Sequence, residues 1–254
     1  MAKLDHNSDG QRSQAGGNKL EGRVALVTGA AGGLGKAIAA ELRERGAAVH
    51  GVDIAGDGVF HADLAAASGN RDMIAHVLAV AGRLDILVLN AGCQFVAPID
   101  KFPDAEWERL RGVMLDGPFF AMKAAWAALT KSPGGRVVVT ASTSSFGGAP
   151  GKAAYTAAKH GVLGLVRVAA LEGAEHGLTV NAVAPGWMDT GMMRDQLEVQ
   201  AATMGVSTDE VVTRFRAAQP AKRFVDVREV AATIGFLASP AASGVNGVCV
   251  PITS

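Results

Sequence analysis

The 254-residue chain holds a single tyrosine, Tyr155, with Lys159 four positions further on. On a helix that spacing puts both side chains on one face, one turn apart. Thirteen positions before the tyrosine stands Ser142, at the end of the β-rich run RVVVTAS. A phenol, an ammonium and a hydroxyl that converge can take the proton from an alcohol while a hydride leaves its carbon. A free phenol titrates near ~10, and bringing it to ~7 requires roughly 4 kcal/mol. An ammonium ~4 Å away at an effective dielectric of ~20 supplies about that amount. Tyr155 is therefore expected to be the acid/base, with its pKa depressed by Lys159, and Ser142 to hold the reacting oxygen. An isolated Tyr-x-x-x-Lys also occurs where the tyrosine is core and the lysine solvated. The position of Ser142 at a strand end favours the chemical reading.

These residues need a scaffold that brings distant segments together. From Arg23 onward the runs RVALVT, AAVHGVD, DILVLN, RVVVTAS and TVNAVAP alternate with helical patterns such as KAIAAELRER and HGVLGLVRVAALEGAEH. Strand and helix in alternation imply an α/β architecture, a doubly wound parallel sheet with helices on both faces. Only nine residues separate Asp53 from Asp63, too few for a crossover helix and a full strand, so a stunted third strand is expected around Val59–His61. The stretch 190–219 is helical in composition and interrupts the strand rhythm after Pro185-Gly186, as a substrate lid at the carboxyl ends of the strands would. Residues 1–19 are polar and Gly-rich and read as a disordered arm, which leaves 20–254 as one domain.

The first strand runs into Thr28-Gly29-Ala30-Ala31-Gly32-Gly33-Leu34-Gly35 and then a helix. Glycines there let the backbone approach a pyrophosphate, whose charge meets free N–H groups at the helix N-terminus. Tight turns need glycine as well, so the motif draws its weight from Asp53 at the end of the next strand. A carboxylate there accepts hydrogen bonds from the hydroxyls of an adenosine ribose and repels a 2′-phosphate. Ala31 offers that phosphate no cation. The cofactor expected is NAD. Asn90-Ala91-Gly92 closes the fourth strand, facing the same crevice or forming a plain turn.

Composition excludes other classes. Lys+Arg and Asp+Glu both number 24, so bulk charge attracts no nucleic acid. No run reaches ~18 apolar residues, so no membrane span is expected. His50, His61 and His76 lack ligand spacing, and Cys93 and Cys249 have no metal-ligand partner in sequence; no metal site is expected. Two cysteines are too few for a disulfide framework, which points to a reducing, cytoplasmic compartment.

Over about residues 20–250 the chain resembles the short-chain dehydrogenase/reductase family, a Rossmann-type fold. The glycine motif, Asp63, Asn90-Ala91-Gly92, Ser142, Tyr155, Lys159, Asn181 to Gly186 and Thr190 stand in family order. The resemblance implies cofactor contacts at Gly29, Gly33, Leu34, Gly35, Asp53, Asp63, Leu64, Asn90, Ala91, Gly92, Tyr155, Lys159, Pro185, Gly186, Met188 and Thr190. It implies a homotetramer built through long helices such as Ala153–Ala174. Two departures stand out. Met114 occupies the place of a family asparagine that holds a proton-relay water, and the chain ends Val250-Pro251-Ile252-Thr253-Ser254 in place of Val-Asp-Gly-Gly.

Within the family, NAGCQFVAP at 90–98, Lys152, Pro185-Gly186-Trp187 and the run 219–225 resemble bacterial D-3-hydroxybutyrate dehydrogenases. By that resemblance Gln94, Lys152 and Gln196 hold a substrate carboxylate, Trp187 lines the pocket, and Ser144 replaces a histidine that also contacts the anion. The expected activity is NAD-dependent interconversion of a small secondary alcohol and its ketone, such as a 3-hydroxy acid. The alternatives are a sugar or polyol dehydrogenase and, in another class, a weakly active NAD-binding regulatory protein.

Overall fold

Alternate residues of the first strand serve two different cores. Val24 and Leu26 face one, Ala25 and Val27 the other, and all four are buried. That pattern requires helices on both faces, and the computed structural model, which describes residues 19–254, has them. The arm expected over 1–19 lies outside the described residues except for Lys19.

In chain order the elements are β1 (Val24–Thr28), α1 (Gly33–Glu44), β2 (Ala48–Asp53), β3 (Phe60–His61), α2 (Ala67–Ala81), β4 (Ile86–Leu89) and α3 (Asp104–Arg111). Then come α4 (Gly117–Lys131), β5 (Arg136–Thr140), α5 (Ala153–Gly173), β6 (Thr179–Pro185), α6 (Gly191–Arg194), α7 (Leu197–Met204), α8 (Thr208–Ala217), α9 (Val227–Leu237) and β7 (Cys249–Ile252). All strand pairs are parallel, in the order β3-β2-β1-β4-β5-β6-β7. Residues of α2, α4 and α5 pack into one core, and those of α1 and α9 into the other. The order reverses between β1 and β4, and a doubly wound sheet opens its crevice at that point, beyond the carboxyl ends.

The third strand is indeed stunted, only two residues long. Sequence reasoning missed β7, because Pro251 interrupts its apolar run. An edge position tolerates a residue without an N–H, and β7 lies at the edge beside β6. The helical stretch after Pro185 is divided into α6, α7 and α8, which share an apolar cluster of Met193, Ala201, Val211 and Phe215.

Two glycines of the β1–α1 turn are required by close approach. Gly29 has φ +67°, and a Cβ there would lie 2.9 Å from Ala91 Cα. A Cβ on Gly35 would overlap the Gly29 carbonyl, whereas one on Gly33 would meet nothing within 4 Å. Gly35→Ala is expected to destabilise the fold by about 3 kcal/mol, lowering Tm by about 6–12 °C. Gly33→Ala should leave Tm within about 2 °C. Thermal unfolding of the two variants checks the contrast.

Candidate active site

A hydrogen-bond chain links three adjacent strand ends. Thr28 Oγ1 accepts the N–H groups of Asn90 (2.9 Å) and Ala91 (3.0 Å). Asn90 Nδ2 donates to the Thr28 carbonyl (3.1 Å), and its Oδ1 accepts from Thr140 Oγ1 (3.2 Å). The Thr140 carbonyl accepts from Lys159 Nζ at 2.6 Å. Thus β1, β4, β5 and α5 are fastened together at one point by polar groups, beside a cavity of about 860 Å³.

Every site residue expected from the sequence borders that cavity. One end is formed by Gly29, Gly33, Leu34 and Gly35 with Asp53, Asp63 and Leu64. Asn90, Ala91 and Gly92 follow, then Gln94, Ser142, Ser144, Lys152, Tyr155 and Lys159. Pro185, Gly186, Trp187, Met188, Thr190 and Gln196 complete the wall. Cys93, Arg109, Val113, Met192 and Met193 also line it and were missed. Cys93 directly follows Asn90-Ala91-Gly92 and could have been found by adjacency; Arg109 stands in no chemical motif.

The glycine end suits a dinucleotide. Helix α1 has no side-chain cap and no acidic residue in its first turn, so its N-terminal N–H groups are left to a ligand. The open space over Gly33 admits a pyrophosphate against that backbone. Asp53 is fixed by two backbone donors, Ala31 N–H to Oδ2 (2.9 Å) and Ile54 N–H to Oδ1 (2.7 Å). Each oxygen keeps a lone pair for a ribose hydroxyl.

At the other end Ser142, in extended backbone, caps a short turn. Its Oγ accepts the Ser144 N–H (3.1 Å), and its N–H donates to Ser145 Oγ (3.3 Å). The Ser142 hydroxyl therefore keeps its own hydrogen for a partner in the cavity. Lys159 is buried, and the loss of solvent lowers its pKa to about 8. Its Nζ lies 5.7 Å from the centre of the Tyr155 ring.

Burial raises the Tyr155 pKa, with a hydrogen bond to Ser142 acting the other way. This departs from the expected depression toward neutrality. The ammonium points to the Thr140 carbonyl, and removal of the phenol from solvent dominates. Met114 accounts for part of that dryness. It lies in a π-helical turn, Gly112–Asp116, between α3 and α4, and packs with Leu110, Ala154, Ala158 and the Tyr155 ring.

The Lys152 ammonium is the least compensated charge in the site. Lys152 is 6% exposed, and its ammonium has no hydrogen bond or ion pair among the described residues. Burial lowers its pKa to about 8. Its Nζ lies 4.2 Å from the Trp187 ring centre. Gln94 Oε1 accepts the Phe95 N–H (3.1 Å), so its amide donors remain for the cavity. Gln196 differs: Nε2 donates to the Met192 carbonyl (2.5 Å), and buried Oε1 has no partner.

The family model for short chain dehydrogenases matches residues 23–201, and the chain belongs to that family. It is 42% identical to the uncharacterized oxidoreductase YxjF of Bacillus subtilis, over 90% of this chain and 95% of that protein. It is 36% identical to the D-beta-hydroxybutyrate dehydrogenase of Rhizobium meliloti, over 89% and 95%. The crystal structure of NAD+-bound xylitol dehydrogenase superposes with a TM-score of 0.86 at 30% identity, covering 92% of this chain and 98% of that one. The fold is thus the family's Rossmann fold, and the chain is an oxidoreductase of secondary alcohols that uses a nicotinamide cofactor. No helix among the described residues is long and apolar enough to cross a membrane, and none of their His, Cys, Asp and Glu side chains form a metal-binding group.

Replacing Lys152 by methionine removes an uncompensated buried cation at similar volume. Lys152→Met is expected to raise stability by about 1 kcal/mol, seen as a gain of about 2–4 °C in Tm. Scanning calorimetry beside wild type checks the sign.

Proposed function

We propose that the protein is an NAD-dependent dehydrogenase of 3-hydroxy acids such as 3-hydroxybutyrate. The observation that carries this reading is Lys152, a buried cation without a carboxylate partner, bordering the same cavity as Ser142, Tyr155 and Lys159. A carboxylate ligand compensates such a charge, and the free donors of Gln94 add to the anion site. Asp53 supports NAD: with Ala31, Ile54 and Asp63 around that end of the cavity, a 2′-phosphate would meet a carboxylate and no cation.

When bound, the dinucleotide supplies the hydride acceptor for oxidation. Ser142, whose Oγ already accepts from Ser144, donates its hydrogen to the reacting oxygen. Tyr155 takes the hydroxyl proton in oxidation and returns it to the ketone oxygen in reduction. Its raised pKa keeps the phenol protonated near neutral pH, the form needed for reduction, and oxidation gains as pH rises. Lys159, held by Thr140, places positive charge beside the phenol and stabilises the phenolate as it forms.

A second reading, a sugar or polyol dehydrogenase, has its own support. The unpaired Gln196 Oε1 is an acceptor suited to a further substrate hydroxyl, and Ser144 replaces the bulkier histidine expected there. We also assign α6–α8 as the substrate lid of a single domain spanning 20–254, and a homotetramer that covers exposed Phe119, Val168 and Leu171 on α4 and α5. Both cysteines are free thiols, which accords with a cytoplasmic location.

Initial rates with D-3-hydroxybutyrate and polyols, each with NAD and NADP, test the reading. Activity with the acid and NAD is expected, and activity with polyols alone would select the second reading. Tyr155→Phe should cost at least about 10²-fold in kcat. In the pH profile, the KM for the acid is expected to rise as pH passes about 8, where Lys152 loses its proton and its charge. Affinity for an uncharged secondary alcohol should lack that loss.

A further inference from the structure

The Lys152 charge does not stand against Trp187 alone. The Trp187 and Phe215 rings are stacked, with centres 3.7 Å apart and planes 11° from parallel. A ring at that distance covers one face of the indole, so the Lys152 ammonium lies against the opposite face, 4.2 Å from its centre. The three side chains come from separate segments. Lys152 is the N-cap of α5, Trp187 follows β6, and Phe215 belongs to α8. Phe215 is only 6% exposed and is anchored in the apolar cluster of α6–α8 by neighbours that include Val211.

We infer that Phe215 is a positioning residue for substrate anions, fixing the Trp187 indole so that its far face holds the Lys152 ammonium at the cavity. The inference rests on the anion-site reading of Lys152 and extends it to a helix distant in sequence. A lysine has four rotatable bonds to its charge, and a buried ammonium without fixed partners samples several directions. An indole face attracts a desolvated cation by roughly 0.5–2 kcal/mol, which orients it only if the ring is itself held. The ring at position 215 supplies that support, and leaves the ammonium hydrogens on the side away from the indole for a carboxylate. Phe215 thereby acts through Trp187, without substrate contact.

The test compares binding of butyrate with binding of butyramide, its uncharged counterpart, to the full chain in the presence of NADH by titration calorimetry. Wild type is expected to favour butyrate, and Lys152→Met to abolish the preference. Phe215→Leu and Phe215→Met, which keep an apolar side chain but remove the ring, should each reduce it about fivefold. Phe215→Tyr should retain it. Val206→Ala, at the edge of the same cluster, should leave the ratio unchanged even if both affinities fall. On the Lys152→Met background, Phe215→Leu should add no further change in the ratio.

If Lys152→Met abolishes the preference while both ringless Phe215 variants keep it, the inference is overturned and the anion site stands. Equal loss in Val206→Ala would reduce Phe215 to a packing residue and overturn it too. If wild type shows no preference, or Lys152→Met keeps it, the anion-site reading itself fails and the inference falls with it.

Discussion

The contact on which the site depends is the bond from the Lys159 ammonium to the Thr140 carbonyl. A buried cation is costly unless its hydrogens are used, and here a strand-end carbonyl uses one. That carbonyl is fixed because Thr140 also engages Asn90, and Asn90 is tied to Thr28. Each link satisfies a polar group that the sheet alone would leave open, and each comes from a different strand. Breaking the middle of the chain would release the lysine as well as the loop after β4, because a buried network is stable only when its members are all paired.

This arrangement follows from the sheet order. Parallel strands end together, so their last residues meet at one edge, and the reversal between β1 and β4 separates the connecting helices to opposite faces. The cofactor end is then constrained by volume: Gly29 and Gly35 have no room for a side chain, while Gly33 borders open space. The same backbone approach that closes the turn exposes the uncapped N-terminus of α1. Packing and anion affinity are two results of one geometry.

Much of this was legible in the sequence because its periodicities are local. The burial of β1 on both faces and the shortness of the Asp53–Asp63 connection follow from its unbroken apolar run and from counting residues. The tyrosine and lysine on one helical face follow from their spacing of four. Other features depend on contacts across distance. β7 was hidden by Pro251, whose tolerance comes from an edge position visible only in the sheet. The direction of the Tyr155 shift was misjudged because Lys159 is drawn to Thr140 and the tyrosine packs against the apolar cluster that holds Met114 and Leu110, out of solvent. Gln196 borders the cavity as expected of its position, and the bond of one amide hydrogen to the Met192 carbonyl is a tertiary detail that no spacing announces. Phe215 carries no motif at all, and its stacking on Trp187 arises from the folding of α8 over the site.

The two buried lysines are held in different ways. Both have pKa values lowered to about 8 by loss of solvent. Lys159 is committed to a backbone carbonyl at the end of a central strand, an arrangement insensitive to side-chain identity on neighbouring loops. Lys152 rests on an aromatic face supplied by the segment after β6, with its hydrogen bonds uncommitted. A charge held by backbone is preserved through loop variation, whereas a charge held by two aromatic rings can be lost or redirected by a single substitution in either. A substitution at 187 or 215 can therefore redirect the Lys152 charge while the Lys159 contact, anchored in the sheet, stays the same. An ammonium removed from solvent with only an aromatic face beside it costs stability, whereas Lys159 offsets part of that cost through its backbone partner.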